Sequence, residues 1–232
     1  MLSICPICDS RSEKNPYAVR EMYYGTRKEF EYAQCPDCGV LYLNQSVVNT
    51  KEFYPENYHV HQFSALSHGH FWHWARLRDR AALTGKPFLG KLLHFYKPGR
   101  PLFRTLSQAK LSLDSRILDV GCGGGSLLHQ LREVGFKHLQ GVDPFLPDNL
   151  TVCQEGLLIE KKRLDQVSGS FDFVTLNHSM EHMPEHKKVL LEISSLLSSE
   201  GICMVRIPVV GGLAWKTYQG HWYQLDAPRH LI

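Results

Sequence analysis

The chain has 232 residues, 43% of them hydrophobic, with 26 Lys/Arg against 23 Asp/Glu. That is enough for one full-sized hydrophobic core with a small appendage, and too little for two large domains. The net charge of +3 is local: Arg76 to Lys110 carries nine Lys/Arg against the single acid Asp79, and the remainder is acidic, which points to an anionic partner or to a solvated basic face.

The opening "MLSICPICDS" has neither a basic start nor an apolar run, and no stretch approaches the roughly 20 apolar residues of a membrane span, so a cytoplasmic protein without a span is expected. Of seven cysteines, four fall in two C-P-x-C turns, Cys5/Cys8 and Cys35/Cys38. Thiolates two residues apart on such a turn can reach one ion at about 2.3 Å, and two turns complete a tetrahedral site. An odd cysteine count in a reducing compartment argues against disulfides and for this metal clip. The aromatic stretch between the turns, broken by Gly25, suits a hairpin, so residues 1–48 are expected to form a zinc-ribbon-like domain holding structural Zn2+. A four-thiolate shell leaves no open position for catalysis. Cys122, Cys153 and Cys203 fall singly in expected core elements.

Residues 49–112 read as a basic, mainly helical connector or lid, with a helix in "FWHWARLRDRAALTG" ending near Gly85. The following "KPFLGKLLHFYKPGRPLF" mixes cations, aromatics and breakers, and could be a lid, a membrane-surface element or a packed linker.

From residue 113 to residue 232 the pattern turns regular. "RILDVG" reads as a strand, and "SLLHQLREVG" as a helix with Leu127, Leu128, Leu131 and Val134 on one face and Gly135 as its stop. "HLQGVDP", "GLLIEKKRL" and "FDFVTLN" read as strands, "PEHKKVLLEISSLLSSEG" as a helix with Pro184 in its first turn and Gly201 at its end, and "ICMVRIP" as a fifth strand. Strands alternating with helices predict an α/β fold, a doubly wound, mostly parallel Rossmann-like sheet.

Between the first of these strands and its helix lies "DVGCGGGS", Asp119 to Ser126. Gly121, Gly123 and Gly125 let the backbone approach a ligand beyond the strand ends. A dinucleotide fingerprint would need glycine where Ser126 stands, and the Gly-Lys-Ser/Thr of a phosphate-cradling loop is absent. What fits is D-x-G-x-G-x-G with an acid, Asp143, after the second strand, where a carboxylate can accept hydrogen bonds from ribose hydroxyls. On these residues the sequence from Arg116 to Pro208 resembles the class I S-adenosylmethionine (SAM)-dependent methyltransferases. The resemblance implies that Asp119, Gly121, Cys122, Gly123 and Gly125 face the methionine part of SAM, that Asp143 and Pro144 lie at the ribose, that Leu164 and Asp165 flank adenine, and that Asn177 and His178 close the cofactor site.

After the fourth strand comes "NHSMEHMPEH". Its H-x-x-E-H would suit a zinc protease on one continuous helix, but Pro184 disfavours helical geometry at Met183, so His178 to His182 are expected on a strand end and loop. In the family this loop meets the acceptor, which implies catalytic roles for His182, Glu181 and His178. A histidine titrates near neutrality and can take an acceptor proton; the alternative is that Glu181 and His182 brace the loop. The tail "WYQLDAPRH" resembles the signature of a methyltransferase subgroup with N-terminal four-cysteine ribbons, associated with carbohydrate biosynthesis. It implies that Trp222, Asp226, Arg229 and His230 meet the substrate. Class I methyltransferases normally continue into a sixth and seventh strand, and the domain 113–232 is expected to lack these last strands. The expected activity is SAM-dependent methylation of a small polar acceptor, a sugar or glycan intermediate. Two alternatives are an RNA methyltransferase that binds RNA through ribbon and basic segment, and a non-catalytic zinc- and SAM-binding scaffold.

Overall fold

The two cysteine turns are built alike. Cys5 N–H donates to Ser10 O and Cys35 N–H to Val40 O, while Asp9 N–H donates to Cys5 O and Gly39 N–H to Cys35 O, at 2.9–3.1 Å. Asp9 and Gly39 hold equivalent left-handed positions, with φ of 58° and 76°. These features come from a computed structural model, which describes residues 3–12, 15–44, 53, 72–86, 88–96, 101–147 and 151–232. Apart from Phe53, the start of the 49–112 connector lies outside the described residues, as do residues 87 and 97–100. Around the first turn, β1 (Ser3–Ile4) pairs antiparallel with β2 (Arg11–Ser12). Next, β3 (Asn15–Arg20), β4 (Glu29–Gln34) and β5 (Leu41–Leu43) form an antiparallel three-stranded sheet. Gly25 takes a φ of 78° in the β3–β4 connection, as the broken aromatic run predicts.

The larger sheet follows three helices, α1 (Trp72–Thr84), α2 (Phe88–Tyr96) and α3 (Pro101–Leu106). Then come β6 (Arg116–Val120), α4 (Ser126–Val134), β7 (His138–Val142), β8 (Val152–Gln154), β9 (Leu157–Glu160), β10 (Phe171–Asn177), α5 (His186–Leu196) and β11 (Leu197–Arg206). The strand order is β11-β10-β6-β7-β9-β8. β10/β6, β6/β7 and β7/β9 are parallel, and β8/β9 is antiparallel. The chain starts at β6 and winds outward to either side, so the order reverses beside β6, where open α/β sheets bind their ligands. This is the doubly wound, Rossmann-like α/β architecture expected from the sequence.

α4 shows why these residues adopt these elements. Leu127, Leu128, Leu131 and Val134 are buried on one face, each worth roughly 2 kcal/mol of transfer free energy. Gly135 stops the helix at φ 116°, its N–H donating to Leu131 O and Arg132 O. The buried face joins Leu83, Phe103, Leu106, Ile117, Leu139 and Ile159 in the core.

Three local expectations are corrected. Gly201 does not end α5; it lies inside β11, where an added Cβ would stand 2.9 Å from Phe171 O. Its missing side chain permits a close approach between strands. Pro184 precedes α5, whose first residue is His186. Cys153 is exposed on the edge strand β8, which the sequence reading missed, and not in the core.

The chain forms two compact units, one of Met1–Tyr58, His178–Leu191 and Arg206–Ile232, the other of His59–Asn177 and Glu192–Val205. The consecutive segments 1–48, 49–112 and 113–232 therefore do not describe how the chain divides. The reason lies in the tail, with α6 (Leu213–Tyr218) and short 3-10 turns at Gln219–His221 and Tyr223–Leu225. Trp215, Trp222, Leu225 and Ala227 share a core with Val19, Phe30, Tyr32 and Leu41 of the three-stranded sheet. Gly220 lies so close to β3 that a Cβ would stand 2.0 Å from Ala18 O.

Candidate active site: glycine loop and histidine cluster

In the sheet unit, β6 delivers the chain into a turn that needs left-handed backbone at Gly121, Gly123 and Gly125, with φ of 72°, 51° and 74°. Gly125 is doubly required, because a Cβ there would stand 2.1 Å from Ile159 Cδ1. Asp143, at the end of β7, organises the loop. Its Oδ2 accepts Gly123 N–H and its Oδ1 accepts Phe145 N–H, both at 2.9 Å. Each oxygen keeps a second lone pair, so the carboxylate can still accept from a ribose hydroxyl. Asp119 is buried beside it; burial, and then the charge of Asp143, push the Asp119 carboxyl up to about 8. The loop is thus a tight turn of small residues, its N–H groups at Gly121, Cys122, Gly123 and Gly125 bonded within the protein, flanked by two carboxyls; the uncrowded backbone and the acceptor oxygens fit a ribose and an amino-acid moiety. Cys122 is half-buried in this turn, and Pro144 is exposed just after Asp143. Leu164 and Asp165 lie on a 3-10 turn after β9, where Asp165 pairs with Arg163. Asn177 is the last residue of β10.

In the other unit, His178 adopts a φ of 58° and Met180–His182 form one 3-10 turn. No continuous helix carries His178 and His182, so the protease-type arrangement is absent and the strand-end loop is present. Glu181 is fully buried, and among the described residues neither carboxylate oxygen has a hydrogen-bond partner. Imidazoles surround it: His178 Nδ1 lies 3.4 Å and His230 Nε2 3.9 Å from Glu181 Oε1. His182 packs edge-on against His230, ring centroids 4.7 Å apart. His182 Nδ1 lies 3.0 Å from Arg229 O, a carbonyl that can only accept, so Nδ1 carries a proton and Nε2 is turned away from that bond. Burial above all, then the neighbouring His182, His178 and Arg229, pull His230 down to about 2, so it stays neutral.

Among the described residues, two clusters have metal-ligand chemistry. Cys5, Cys8, Cys35 and Cys38 place their sulfurs within 4.8 Å of one another, with Cys5–Cys38 and Cys8–Cys35 at 3.6 Å. A tetrahedron with bonds of about 2.3 Å has edges of about 3.8 Å, so the thiolates fit one Zn2+. Glu181, His182 and His230 also hold ligand atoms within 4.8 Å, a carboxylate and two imidazoles of the type divalent transition ions accept.

The tail residues expected at the substrate need correction. Trp222 is buried in the core between tail and three-stranded sheet. Arg229 is buried; its guanidinium donates to Asp226, to Phe53 O at 2.8 Å and to Glu21 at 3.2 Å, and stacks over Tyr24. Asp226 turns the chain at φ 42° and is committed to Arg229. These three side chains are consumed by packing and ion pairing. Of the four, His230 joins the Glu181 cluster. Sequence reading missed Glu21 and Tyr32, whose hydroxyl donates to His230 O at 2.6 Å; neither carries a local signal, since both act on a tail some 200 positions away.

The strand order and the glycine loop define a class I methyltransferase fold. A family model described as "Methyltransferase domain" matches residues 74–231, and the chain belongs to that family. It is 35% identical over 96 residues to the ubiquinone biosynthesis O-methyltransferase of Nitrosococcus oceani, covering 37% of this chain and 40% of the relative. It is 33% identical over 104 residues to the mitochondrial one of Saccharomyces cerevisiae, covering 38% and 33%. The match to EEF1A lysine methyltransferase 2 of Homo sapiens is 23% identical over 157 residues, 57% of this chain and 65% of that protein. The chain thus spans about two fifths of the length of the first ubiquinone-pathway relatives. Among solved structures, the plantazolicin methyltransferase BpumL is similar at 16% identity and TM-score 0.40, covering 66% of this chain and 68% of that one. Among the described residues no helix is long and apolar enough to cross a membrane.

Proposed function

We propose that the chain transfers a methyl group from SAM to a hydroxyl on a small polar acceptor. One observation carries this: a glycine loop held by the Asp143 carboxylate at the order reversal of a doubly wound sheet, in a member of a methyltransferase family. Asp119, Gly121, Cys122, Gly123, Gly125, Asp143 and Pro144 would hold the methionine and ribose parts, Leu164 and Asp165 the adenine, with Asn177 and His178 at the strand end. SAM supplies an electrophilic methyl group on a sulfonium. The protein's own contribution is to orient the acceptor and manage its proton. His182 Nε2 takes the hydroxyl proton, Nδ1–H stays anchored on Arg229 O, and the Glu181 carboxylate stabilises the imidazolium that results. The sugar or glycan class of acceptor rests on the motif resemblance; the relatives named for ubiquinone biosynthesis are O-methyltransferases, and a hydroxyl is the chemistry the two share. The four cysteines hold structural Zn2+.

The test is incubation with methyl-labelled SAM and a panel of nucleotide sugars and phenols, with products identified by mass. Labelled product from one class names the acceptor, and His182→Asn should lower kcat by about a hundredfold or more with SAM affinity unchanged. Undiminished turnover in His182→Asn would assign that residue to bracing the loop, and label transfer to RNA alone would overturn the small-acceptor reading.

A further inference from the structure

We infer that α2, with the exposed Lys86 just before it, forms a surface that lies on an anionic phospholipid bilayer. The helix presents its apolar stripe to solvent. α2 packs on α1 through Gly90, where a Cβ would stand 2.3 Å from Leu77 O and 2.6 Å from Ala81 Cβ, so that side of α2 admits no side chain. Phe88, Leu89, Leu92, Phe95 and Tyr96 fall at helical spacing within about 120° of arc on the opposite side. Phe88, Phe95 and Tyr96 are 81%, 80% and 78% exposed, and Leu89 and Leu92 are nearly half exposed. An ordinary surface helix turns such a stripe to the core.

Charge selects the occupant. Arg76 to Lys110 carries nine cations and one acid, and that acid, Asp79, is already paired with Arg78 at 2.8 Å. Lys86, just before α2, is exposed. A second copy of the chain would bring two such basic segments together against their repulsion. A nucleic acid would engage the cations and leave the leucines in water. An anionic bilayer takes both, with the apolar stripe in the acyl boundary and Lys86 against phosphates, and the positive net charge of the segment's sequence adds attraction. This surface is independent of the proposed methyl transfer.

The experiment is cosedimentation of the full chain with vesicles of phosphatidylcholine, with and without phosphatidylglycerol, at about 0.1 M salt. Expected is at least about tenfold preference for the anionic vesicles, weakening as salt rises. The variant Phe88→Ser/Phe95→Ser/Tyr96→Ser should lose at least about tenfold in binding with unchanged circular dichroism. Lys86→Glu, which leaves the stripe intact, should weaken anionic binding alone. The proposal is overturned by any of three results: equal sedimentation of wild type and both variants, RNA binding without vesicle binding, or a dimer that forms through the stripe in place of vesicle binding.

Discussion

Arg229 shows what a single buried residue does here. Its side chain and that of Glu21 are each 1% exposed and lie 3.2 Å apart. Burial pushes the Glu21 carboxyl up, but N–H groups of Tyr24 and Thr26, the Thr26 hydroxyl and Arg229 outweigh it and hold the group at about 2. Removing one partner leaves a buried charge, so Arg229→Met should cost about 3 kcal/mol in urea unfolding at neutral pH. The depressed Glu21 value contributes stability that is present above its unfolded value, near 4.5, and is lost as pH falls toward about 2; Glu21→Gln should abolish that share of the acid dependence. Asp119 has the opposite sign. Its folded value, about 8, lies above its unfolded value, so the native state binds the extra proton and stability falls as pH rises from about 4 to about 8. Asp119→Asn should flatten that fall in thermal unfolding followed across the same range.

At the scale of elements, the glycine loop makes a sharp prediction. Gly125→Ala meets both a left-handed backbone and the Ile159 side chain, so it should lower SAM affinity by at least about tenfold and stability by about 1–3 kcal/mol. The cysteine turns make another: a chelator should release one Zn2+ per chain and red-shift the emission of Trp215 and Trp222, which pack on the three-stranded sheet. Unchanged emission after complete zinc loss would contradict it. The elements legible in the sequence were those with a local period or punctuation, such as β6 as an apolar run, α4 as a stripe closed by Gly135, and the paired C-P-x-C turns. β8 was not legible, because three residues on a sheet edge show no periodicity. Gly201 misled because glycine marks both helix ends and close strand approaches, and only the partner strand distinguishes them. The packing of Trp222 and the ion pairing of Arg229 were not legible, because their partners, Glu21 among them, come from the far end of the chain.

At the scale of the whole molecule, the described chain is two units of different character. One is a doubly wound sheet whose order reversal carries the glycine loop; the other gathers the cysteine turns and the tail around shared cores and also carries the Glu181 cluster. The glycine loop and its acid were legible, because a tight strand-turn-helix needs glycines at left-handed positions and an acceptor for the loop N–H at fixed places. The acceptor half was not, because histidines and a glutamate on a loop suit many acceptors. The most direct test of the central claim is calorimetric titration of SAM into the wild-type chain and into Asp143→Ala. The account predicts saturable one-to-one binding by the wild type and affinity at least about tenfold weaker in the variant, whose loss of two accepted N–H bonds frees the loop. No binding by the wild type, or equal binding by both, would contradict it.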